Sequence, residues 1–468
     1  MVGREVRILG LALVVTFGTA PASRTAHAEE PETPTPAAGG AHPGDDDDEA
    51  VPPSLDERTK KAVELGVRWL RGRGTTEGWW GNCYNPGGKT YDGGSNVYQN
   101  PLGATALALY TLMKCGVPPS DPVVKRGFAW LQKHEKNGGN SYELSMKLLA
   151  VTATADPFKK TKDATAAGEK VRLTGPMRAW AEGLLSALVA MRAPDGWRYW
   201  GKADSNKGGK QDLSSTQLAA LAIFSAQRCG LKVDPAIWTG ILRFTLDQQE
   251  EDGPARPRAV VDRPRKDAKA GRPAPKPGDT VAPAPAPADA SDMPDKARGF
   301  AYIRRTGPDP EDRAASGGMT ACGVASVMMA RFALMTRAEK EWAKQDAARV
   351  QASVHDGLAW LDGNWSPYKN PPNGASRWHV YYLYCVERAM DLVGGWRLGK
   401  RFWYVEMAEQ LLPLQQKAGF WDSGSAKKEG GDVVDTCFAL LFLQRATRGG
   451  IPFPSVTGGA DEPSVDNR

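Results

Sequence analysis

The chain has 468 residues, a formal net charge of +6 and six cysteines. This length is enough for one large core or for two to three ordinary domains. Much of the small basic excess lies in one proline-rich stretch, which excludes a concentrated basic face for nucleic acid. The cysteines lack the spacing of a disulfide framework. We interpret them as small buried residues of helices and leave one disulfide open.

The first 28 residues have the pattern of a secretory signal peptide. Arg4 and Arg7 form a basic segment, Ile8–Ala20 is apolar, and Ala26-His27-Ala28 is a small-residue cleavage site. We therefore expect an exported mature protein that begins near Glu29, in the periplasm, outside the cell or at the cell surface. No later apolar run reaches the roughly 18 residues of a spanning helix, so we predict that the mature chain does not cross a membrane.

Three segments contain little that a folded core could use. Residues 29–54 are rich in proline and threonine and include four consecutive aspartates, residues 251–298 hold ten prolines and no aromatic residue, and residues 450–468 are a polar tail. Such compositions cannot bury enough apolar surface to order themselves. We predict a disordered linker, a disordered surface insert within one domain, and a flexible tail, respectively. An insert of this length is tolerable because loop-closure cost rises slowly with length.

Between residues 55 and 449, an amphipathic helix alternates six times with a helix that is apolar on nearly every face. The amphipathic segments are Ala62–Arg71, Val123–His134, Met177–Met191, Ala236–Gln249, Val350–Leu361 and Phe402–Leu412. The apolar segments are Thr105–Met113, Ser141–Val151, Asp212–Arg228, Met319–Leu334, Trp378–Met390 and Asp432–Leu443. Helices apolar on all faces belong in an interior, so the pattern predicts an all-α, two-layer fold. Six repeats, with aromatic turns at both ends of the chain, favour a closed ring over an open solenoid.

A recurring turn carries a resemblance to a known family. Gln415, Gly419 and Trp421 form the pattern Q-x-x-x-G-x-W, and Trp80 and Trp197 lie in weaker copies of it. This resembles the QW motif of squalene–hopene cyclases. The pattern over residues 55–449 resembles the prenyltransferase and squalene cyclase repeat family. The resemblance implies an α/α toroid and says much less about activity.

In cyclases of that family, the middle Asp of a D-x-D-D-T motif protonates an alkene at the start of an inner helix. Two stretches resemble the motif, Asp432-Val433-Val434-Asp435-Thr436 and Asp212-Leu213-Ser214-Ser215-Thr216. Val434 and Ser214 stand where the acid is required, and neither side chain can protonate an olefin. We interpret the remaining acids as helix caps. The substitutions favour a non-catalytic binding or scaffold protein, with a terpene cyclase or prenyltransferase-type enzyme of altered chemistry as the alternative.

The protein prenyltransferases of this fold hold zinc with an Asp-x-Cys pair and a His. Asp435-Thr436-Cys437 has that spacing, and His379 begins the preceding inner helix. A zinc site of His379, Asp435 and Cys437 is geometrically conceivable because zinc accepts all three ligand types. Polar residues are common at helix starts without a metal, so we expect no cofactor and keep zinc as the alternative.

The starts of the inner helices should surround one opening of the ring. The residues expected there are Tyr98, Gln99, Tyr142, Glu143, Asp212, Thr216, Thr320, Cys322, His379, Tyr382, Asp435 and Cys437. The candidate ligand-binding residues among them are Glu143, Asp212, Thr216, His379, Tyr382 and Asp435. The same residues could equally cap the six helices. Helix N-terminal dipoles at this opening would favour anionic or polar ligands.

Three classes of function remain. The first is an exported toroid that binds a lipid or isoprenoid, a peptide or a polysaccharide, or that acts as a scaffold. The second is a terpene cyclase or prenyltransferase-like enzyme. The third is a carbohydrate-active enzyme on an (α/α)6 barrel, for which Glu143 with Asp212 or Asp435 would supply the two carboxylates. The lost acids favour the first class, and the positions of most tryptophans in the repeats argue against the third.

Overall fold

The computed structural model describes residues 54–81, 101–135, 140–155, 172–199, 210–259, 261, 294–372, 378–395, 397–423 and 431–445. The predicted signal peptide and tail lie outside the described residues, as does the predicted linker apart from Ser54. Cys83, Tyr98, Gln99 and the middle of the predicted insert lie outside them as well.

Twelve of the helices form two layers. The outer helices are α1 (Leu55–Arg73), α3 (Pro122–Lys133), α5 (Gly175–Ala190), α7 (Pro235–Asp247), α11 (Ala347–Gly363) and α13 (Trp403–Leu411). The inner helices are α2 (Pro101–Lys114), α4 (Ser141–Ala153), α6 (Leu213–Arg228), α9 (Gly317–Arg337), α12 (His379–Val393) and α14 (Gly431–Leu443). The short elements are β1 (Ala255–Arg256), β2 (Asp295–Lys296), α8 (Pro310–Arg313), α10 (Glu339–Trp342) and a 3-10 helix (Leu412–Leu414).

The inner helices form a closed ring. Each packs against the inner helix before it and the one after it in the chain, and the last, α14, packs against the first, α2. Each repeat therefore buries its apolar face against two neighbours, and no end of the series is left uncovered. The chain is an α/α toroid. The open solenoid that the sequence left as the competing arrangement is excluded by the contact between α14 and α2.

The division into outer and inner helices follows the sequence pattern. In α6, every residue from Leu213 to Gln227 is buried. In α5, only the stripe Ala181, Leu184, Leu185 and Leu188 is buried. A helix with one apolar stripe covers a core, whereas a helix apolar on all faces lies inside it. The predicted layers are thus confirmed.

Local chemistry sets where the helices begin. Ser54 and Glu57 form a capping box, so α1 begins at Leu55 and not at Ala62, where the predicted segment starts. Asp121 caps α3 and Asp234 caps α7, and in both helices proline occupies the first position. Proline fits there because it lacks the N–H that would have no partner in the first turn.

The last repeat joins the first through the Q-x-x-x-G-x-W turn. Gln415 Nε2 donates to Ala62 O at 2.8 Å and to Gly419 O at 2.9 Å. Phe420 stacks on Trp69 with ring centroids 5.1 Å apart. The glutamine of the turn therefore binds the backbone of α1, and the two ends of the repeat series are held together by hydrogen bonds and an aromatic contact.

Both ends of the insert predicted for residues 251–298 are ordered. Strand β1 pairs with β2 in antiparallel register, Ala255 opposite Lys296. Lys296 N donates to Asp356 Oδ1 at 2.9 Å, and Arg298 pairs with Asp356 on α11. The ends of the insert thus form a short ladder fastened to the outer layer. The sequence pattern missed it because two-residue strands leave no periodicity to detect.

One helix in the described part of the chain, Gly317–Arg337, is long and apolar enough to cross a membrane by length and composition. It is α9 of the inner ring, and 78% of its apolar 18-residue stretch is buried inside the fold. The core helix of a folded protein passes the same test.

Candidate functional site

A threonine near the start of four inner helices holds the aromatic turn that precedes it. Its hydroxyl oxygen accepts a hydrogen bond from the backbone N–H of the turn aromatic. The pairs are Thr105 with Trp80 at 2.9 Å, Thr216 with Trp197 at 2.9 Å, Thr320 with Phe300 at 3.0 Å, and Thr436 with Trp421 at 3.0 Å. All four threonines are buried. The hydroxyl of Thr216, a predicted ligand-binding residue, therefore faces its turn and not the ring interior.

The residue two positions before each threonine lies on the opposite side of its helix, because two residues correspond to a rotation of about 200°. Ser214 and Val434 occupy this position in α6 and α14. Tyr142 Oη on α4 donates to Ser214 Oγ at 2.9 Å, and Ser214 Oγ lies 3.0 Å from Tyr381 Oη on α12. Because α9 separates α6 from α12 in the ring, the contact between Ser214 and Tyr381 crosses the interior. We call the interior lined by Tyr142, Ser214, Tyr381 and the residues beneath them the lumen.

A thiol pair lies beneath Tyr381. Cys322 Sγ is 3.6 Å from Tyr381 Oη, 3.8 Å from Gln217 Oε1 and 3.4 Å from Cys385 Sγ. Arg388 Nη2 donates to Cys385 Sγ at 3.5 Å. Gln217, both cysteines and Arg388 are fully buried. Polar contacts thus run without a break from the half-buried Tyr381 to the buried guanidinium.

The two thiols titrate differently. Burial favours the neutral form of Cys385, but the hydrogen bond from Cys322 and the charge of Arg388 outweigh it and lower the pKa of Cys385 to about 7. Burial, together with the neighbouring Cys385, raises the pKa of Cys322. Cys385 is therefore the more acidic thiol of the pair.

Aromatic rings on α12 and α14 lie beside the thiol pair. Phe438 on α14 lies 5.3 Å from the ring of Tyr381 and stacks on Tyr384 at 5.2 Å. The guanidinium carbon of Arg388 lies 4.0 Å from the centroid of Tyr384. The rings of Tyr381, Phe438 and Tyr384 therefore form one contiguous aromatic cluster beside the thiol pair.

Asp212 caps α6, as predicted. Its Oδ1 accepts from Ser215 N at 2.6 Å, its Oδ2 accepts from Ser215 Oγ at 2.7 Å, and Tyr302 also hydrogen-bonds to the carboxyl. Burial raises the pKa of Asp212 to about 7 despite these hydrogen bonds. The carboxyl is therefore occupied by its own helix and retains a proton over part of the neutral range.

Asp435 binds the turn before its helix. Its Oδ2 accepts from both Ser423 N and Ser423 Oγ at 2.8 Å. Burial raises the pKa of Asp435 to about 6, although the hydrogen bonds from Ser423 oppose this. The predicted helix-capping role is thus replaced by a bond to the segment that follows Trp421.

Glu143 closes a capping box at the start of α4. Glu143 N donates to Asn140 Oδ1 at 2.9 Å, and Asn140 N donates to Glu143 Oε2 at 3.3 Å. The carboxylate is buried at its helix terminus, where the dipole also stabilises it. In this role Glu143 supports the helix start.

His379 and Tyr382 lie at the start of α12 and turn away from the lumen. His379 Nε2 donates to Pro367 O at 2.8 Å, and burial lowers the pKa of His379. Tyr382 is fully buried, and a Cβ placed on Gly317 would meet its ring at 2.7 Å. Tyr382 therefore packs against the start of α9, and burial raises the pKa of its hydroxyl.

The structure does not bring the three hypothetical zinc ligands together. Within the described residues, no group of three or more His, Cys, Asp or Glu side chains could hold a metal ion. His379 binds Pro367 O, Asp435 binds Ser423, and Cys437 is buried next to Thr111. Each candidate ligand has a separate partner, so the hypothesis of a site formed by His379, Asp435 and Cys437 is corrected. The five cysteines of the described chain are free thiols.

Of the residues that line the lumen, Tyr142 and Cys322 are among those expected at the opening of the ring, whereas Tyr381, Tyr384, Cys385 and Arg388 are not. Tyr381, Tyr384, Cys385 and Arg388 follow the spacing i, i+3, i+4, i+7 and therefore share one face of α12. This spacing was available in the sequence. It does not identify an inward face by itself, because the inner helices are apolar all round and periodicity does not show which side is turned toward the interior.

No family model matches the chain, and no curated protein matches it. Among solved structures, the unliganded type II terpene cyclase MstE from Scytonema is 11% identical, with a TM-score of 0.43, over 85% of this chain and 98% of that chain. A variant of MstE in complex with geranylgeranyl dihydroxybenzoate, its substrate, is 10% identical with a TM-score of 0.43, over 84% and 97%. A protein from Actinoplanes is 14% identical with a TM-score of 0.41, over 83% and 99%. Likeness at this level carries no information on activity, and the fold assignment rests on the closed ring itself.

Proposed function

We propose that this chain is an exported ligand-binding toroid whose lumen takes an apolar or amphipathic molecule, such as an isoprenoid or another lipid, and that it does not cyclise polyenes. The observation that carries the proposal is the hydrogen bond between Ser214 and Tyr381. It occupies the position at which the cyclase motif would present its acid, and a serine hydroxyl cannot protonate an alkene.

The nearby acids support the same proposal. Three carboxyls lie next to the acid positions in the sequence. Asp212 and Asp435 bind serines of their own helix start or turn, and Asp432 pairs with Arg73. An acid that protonates an olefin must present its proton to the substrate in a site from which water is excluded. Val434, at the second acid position, has no proton to give.

The aromatic wall supports an apolar ligand over a polysaccharide. Tyr381, Tyr384 and Phe438 contact one another inside the ring and not along an exposed cleft. Glu143 is held in its capping box, which argues against a pair of carboxylates flanking a sugar. Lumen binding is thus the function that these side chains fit best.

The test is direct binding of farnesol to the mature chain, measured by native mass spectrometry and by titration. We expect Ser214→Trp to lose binding because an indole at this position fills the upper lumen. Leu414→Trp is the matched control, because Leu414 is exposed outside the ring. If Ser214→Trp binds farnesol as tightly as the wild-type chain does, the proposal is wrong.

The alternative is a terpene cyclase in which Asp212 supplies the proton. The burial that raises the pKa of Asp212 to about 7 favours it, because part of the carboxyl remains protonated at neutral pH. Incubation with squalene and with geranylgeranyl substrates, followed by gas chromatography and mass spectrometry, separates the two functions. A cyclic product that disappears in Asp212→Asn would establish the enzyme and overturn the binding function.

A further inference from the structure

Arg388 is a fully buried cation in the lumen, and within the described residues it has no carboxylate partner. Its Nη2 donates to Cys385 Sγ at 3.5 Å, and its plane lies against Tyr384. The other two guanidinium nitrogens, Nε and Nη1, have no hydrogen-bond partner in the described part of the chain.

Burying a guanidinium group with unpaired N–H groups raises the free energy of the folded protein. A guanidinium removed from water needs both a countercharge and acceptors for its N–H groups. The contact with Cys385 Sγ meets part of the need, but it reaches only one of the three nitrogens. The remaining N–H groups therefore indicate acceptors that the chain does not itself provide.

A second side chain shows the same deficit. Gln217 Nε2 is buried without a hydrogen-bond partner among the described residues, while Gln217 Oε1 lies 3.8 Å from Cys322 Sγ. Gln217 and Arg388 contact the same thiol pair, one through Cys322 and the other through Cys385. Both unmatched groups are donors, so the missing group is an acceptor, and the positive charge of Arg388 favours an anionic acceptor over a neutral one.

We propose that Arg388 binds the anionic group of the lumen ligand, a carboxylate or a phosphate, while the apolar part of that ligand packs along Tyr381, Tyr384 and Phe438. This inference rests on the proposed function and names its ligand class, an anionic amphiphile. Arg388 lies seven residues beyond the half-buried Tyr381 on α12, which corresponds to about 10 Å along the helix. The anionic group is therefore the deep end of the ligand, and the apolar chain extends back toward the start of the inner helices.

Three probes test the ligand class by isothermal titration: farnesol, farnesyl phosphate and inorganic phosphate. We expect the wild-type chain to bind farnesyl phosphate at least about tenfold more tightly than farnesol, because charge-assisted hydrogen bonds replace the unpaired donors. Arg388→Met should bind the two farnesyl probes equally. Inorganic phosphate that binds as tightly as farnesyl phosphate would show that the site takes a free anion, and it would overturn the amphiphile.

The melting temperature of the unliganded protein separates a binding role from a structural one. Arg388→Met removes an incompletely paired buried charge, so we expect the melting temperature to stay level or rise. The matched control is Arg445→Met, because Arg445 is largely buried but pairs with Asp391 of α12. That variant should melt at a lower temperature and keep the preference for farnesyl phosphate. If Arg388→Met melts at a lower temperature and keeps its preference for farnesyl phosphate, then Arg388 only stabilises the fold through its contact with Cys385. The inference would then be wrong.

The two proposals fail differently. If farnesol and farnesyl phosphate bind the wild-type chain equally, the result supports ligand binding in the lumen and contradicts an anionic subsite at Arg388. If none of the three probes binds, both the lumen function and the anionic subsite are overturned.

Discussion

Ser214 Oγ and Tyr381 Oη lie 3.0 Å apart across the interior of the ring, although α6 and α12 are not consecutive inner helices. This contact uses two hydroxyl groups to join two inner helices that α9 separates in the ring. It fixes the separation of α6 and α12 near the starts of these helices, where Tyr142 Oη also donates a hydrogen bond to Ser214 Oγ.

The first prediction concerns this cross-ring bond. Tyr381→Phe should lower the free energy of unfolding by about 1 kcal/mol, the usual net value of one hydrogen bond. Ser214→Ala should lower it by about 2 kcal/mol, because it also removes the bond from Tyr142. The double variant should lose less than the sum, because both changes remove the same bond. Urea unfolding measures all three. Tyr368→Phe, at a tyrosine that is 68% exposed, is the control and should stay within about 0.5 kcal/mol of wild type. Strict additivity of the two single changes would show that the hydroxyls do not interact.

The second prediction concerns the threonines that hold the turns. Thr436→Val keeps the shape of the side chain but leaves the buried Trp421 N–H without its acceptor. We expect a loss of about 1–3 kcal/mol in the free energy of unfolding, because the donor cannot return to water. Thr436→Ser retains the hydroxyl and should lose clearly less. Equal losses in the two variants, measured by chemical denaturation, would assign the effect to the methyl group instead.

The third prediction concerns pH. The pKa of Asp212 is raised from 3.8 to about 7 by burial, so the folded chain binds a proton at pH values where the unfolded chain has released it. The stability that this carboxyl contributes is therefore complete below pH 4 and is lost as the pH rises toward 7, by up to about 4 kcal/mol. Asp212→Asn keeps a capping oxygen and should remove this part of the pH dependence, which thermal melts between pH 4 and 8 can follow.

Asp212→Ala is the companion variant for the pH experiment. It lacks both the cap and the ionisable group, so it should lose about 1 kcal/mol at every pH relative to Asp212→Asn. A wild-type slope that survives unchanged in both variants would place the titrating group elsewhere.

The fourth prediction concerns glycine. Gly419 has φ +104°, and a Cβ there would meet Leu65 O at 2.6 Å. Gly419→Ala should therefore destabilise the fold by about 1–3 kcal/mol, through backbone strain and the clash with α1. Gly183→Ala, on an open face of α5 with nothing within 4 Å of the added atom, should instead stabilise it by about 0.5–1 kcal/mol. A neutral Gly419→Ala would show that the turn can move away from α1.

The fifth prediction concerns the N-terminus. We expect the protein recovered from the periplasm or medium of a bacterial host to have lost residues 1–28 and to begin at Glu29, because Ala26-His27-Ala28 fits a small-residue cleavage site. Intact mass spectrometry of the recovered protein measures the start. Replacement of Ala28 by Arg should block cleavage, since the site accepts only small side chains. An intact chain retained in the cytoplasm would contradict export.

The sequence predicted the architecture because each repeat carries its own signals. The aromatic turns, the cap at Asp212, and the contrast between α5 and α6 all depend on residues close together in the chain. Asp435 shows the limit of that reasoning. Its motif position indicated a cap, but the carboxyl accepts from Ser423, twelve residues earlier, because the turn folds back over the helix start.

The lumen could not be predicted from the same signals. Apolar periodicity separates a buried face from an exposed one, and the inner helices have no exposed face to separate. The contact between Ser214 and Tyr381, like that between Cys322 and Cys385, depends on how six helices tilt when the ring closes. Thr216 and Ser214 are two residues apart on α6, and their side chains point to opposite sides of the helix. The sequence indicated Thr216 as a ligand-binding residue, but its hydroxyl binds the turn at Trp197, whereas Ser214 faces the lumen.

The closure of the ring also has a consequence for how the protein is made. Helix α2 depends on α14 for one of its flanks, and α14 follows every other helix of the ring in the sequence. Until residue 443 has emerged, the nascent chain is an open arc with an apolar edge at each end. A polypeptide that stops before Gly431 keeps those edges permanently, and it should be recognised by chaperones and proteases even though five of its six repeats are complete. The thirteen residues of α14 thus decide whether the chain escapes chaperones and proteases, because no earlier repeat can cover the same edges.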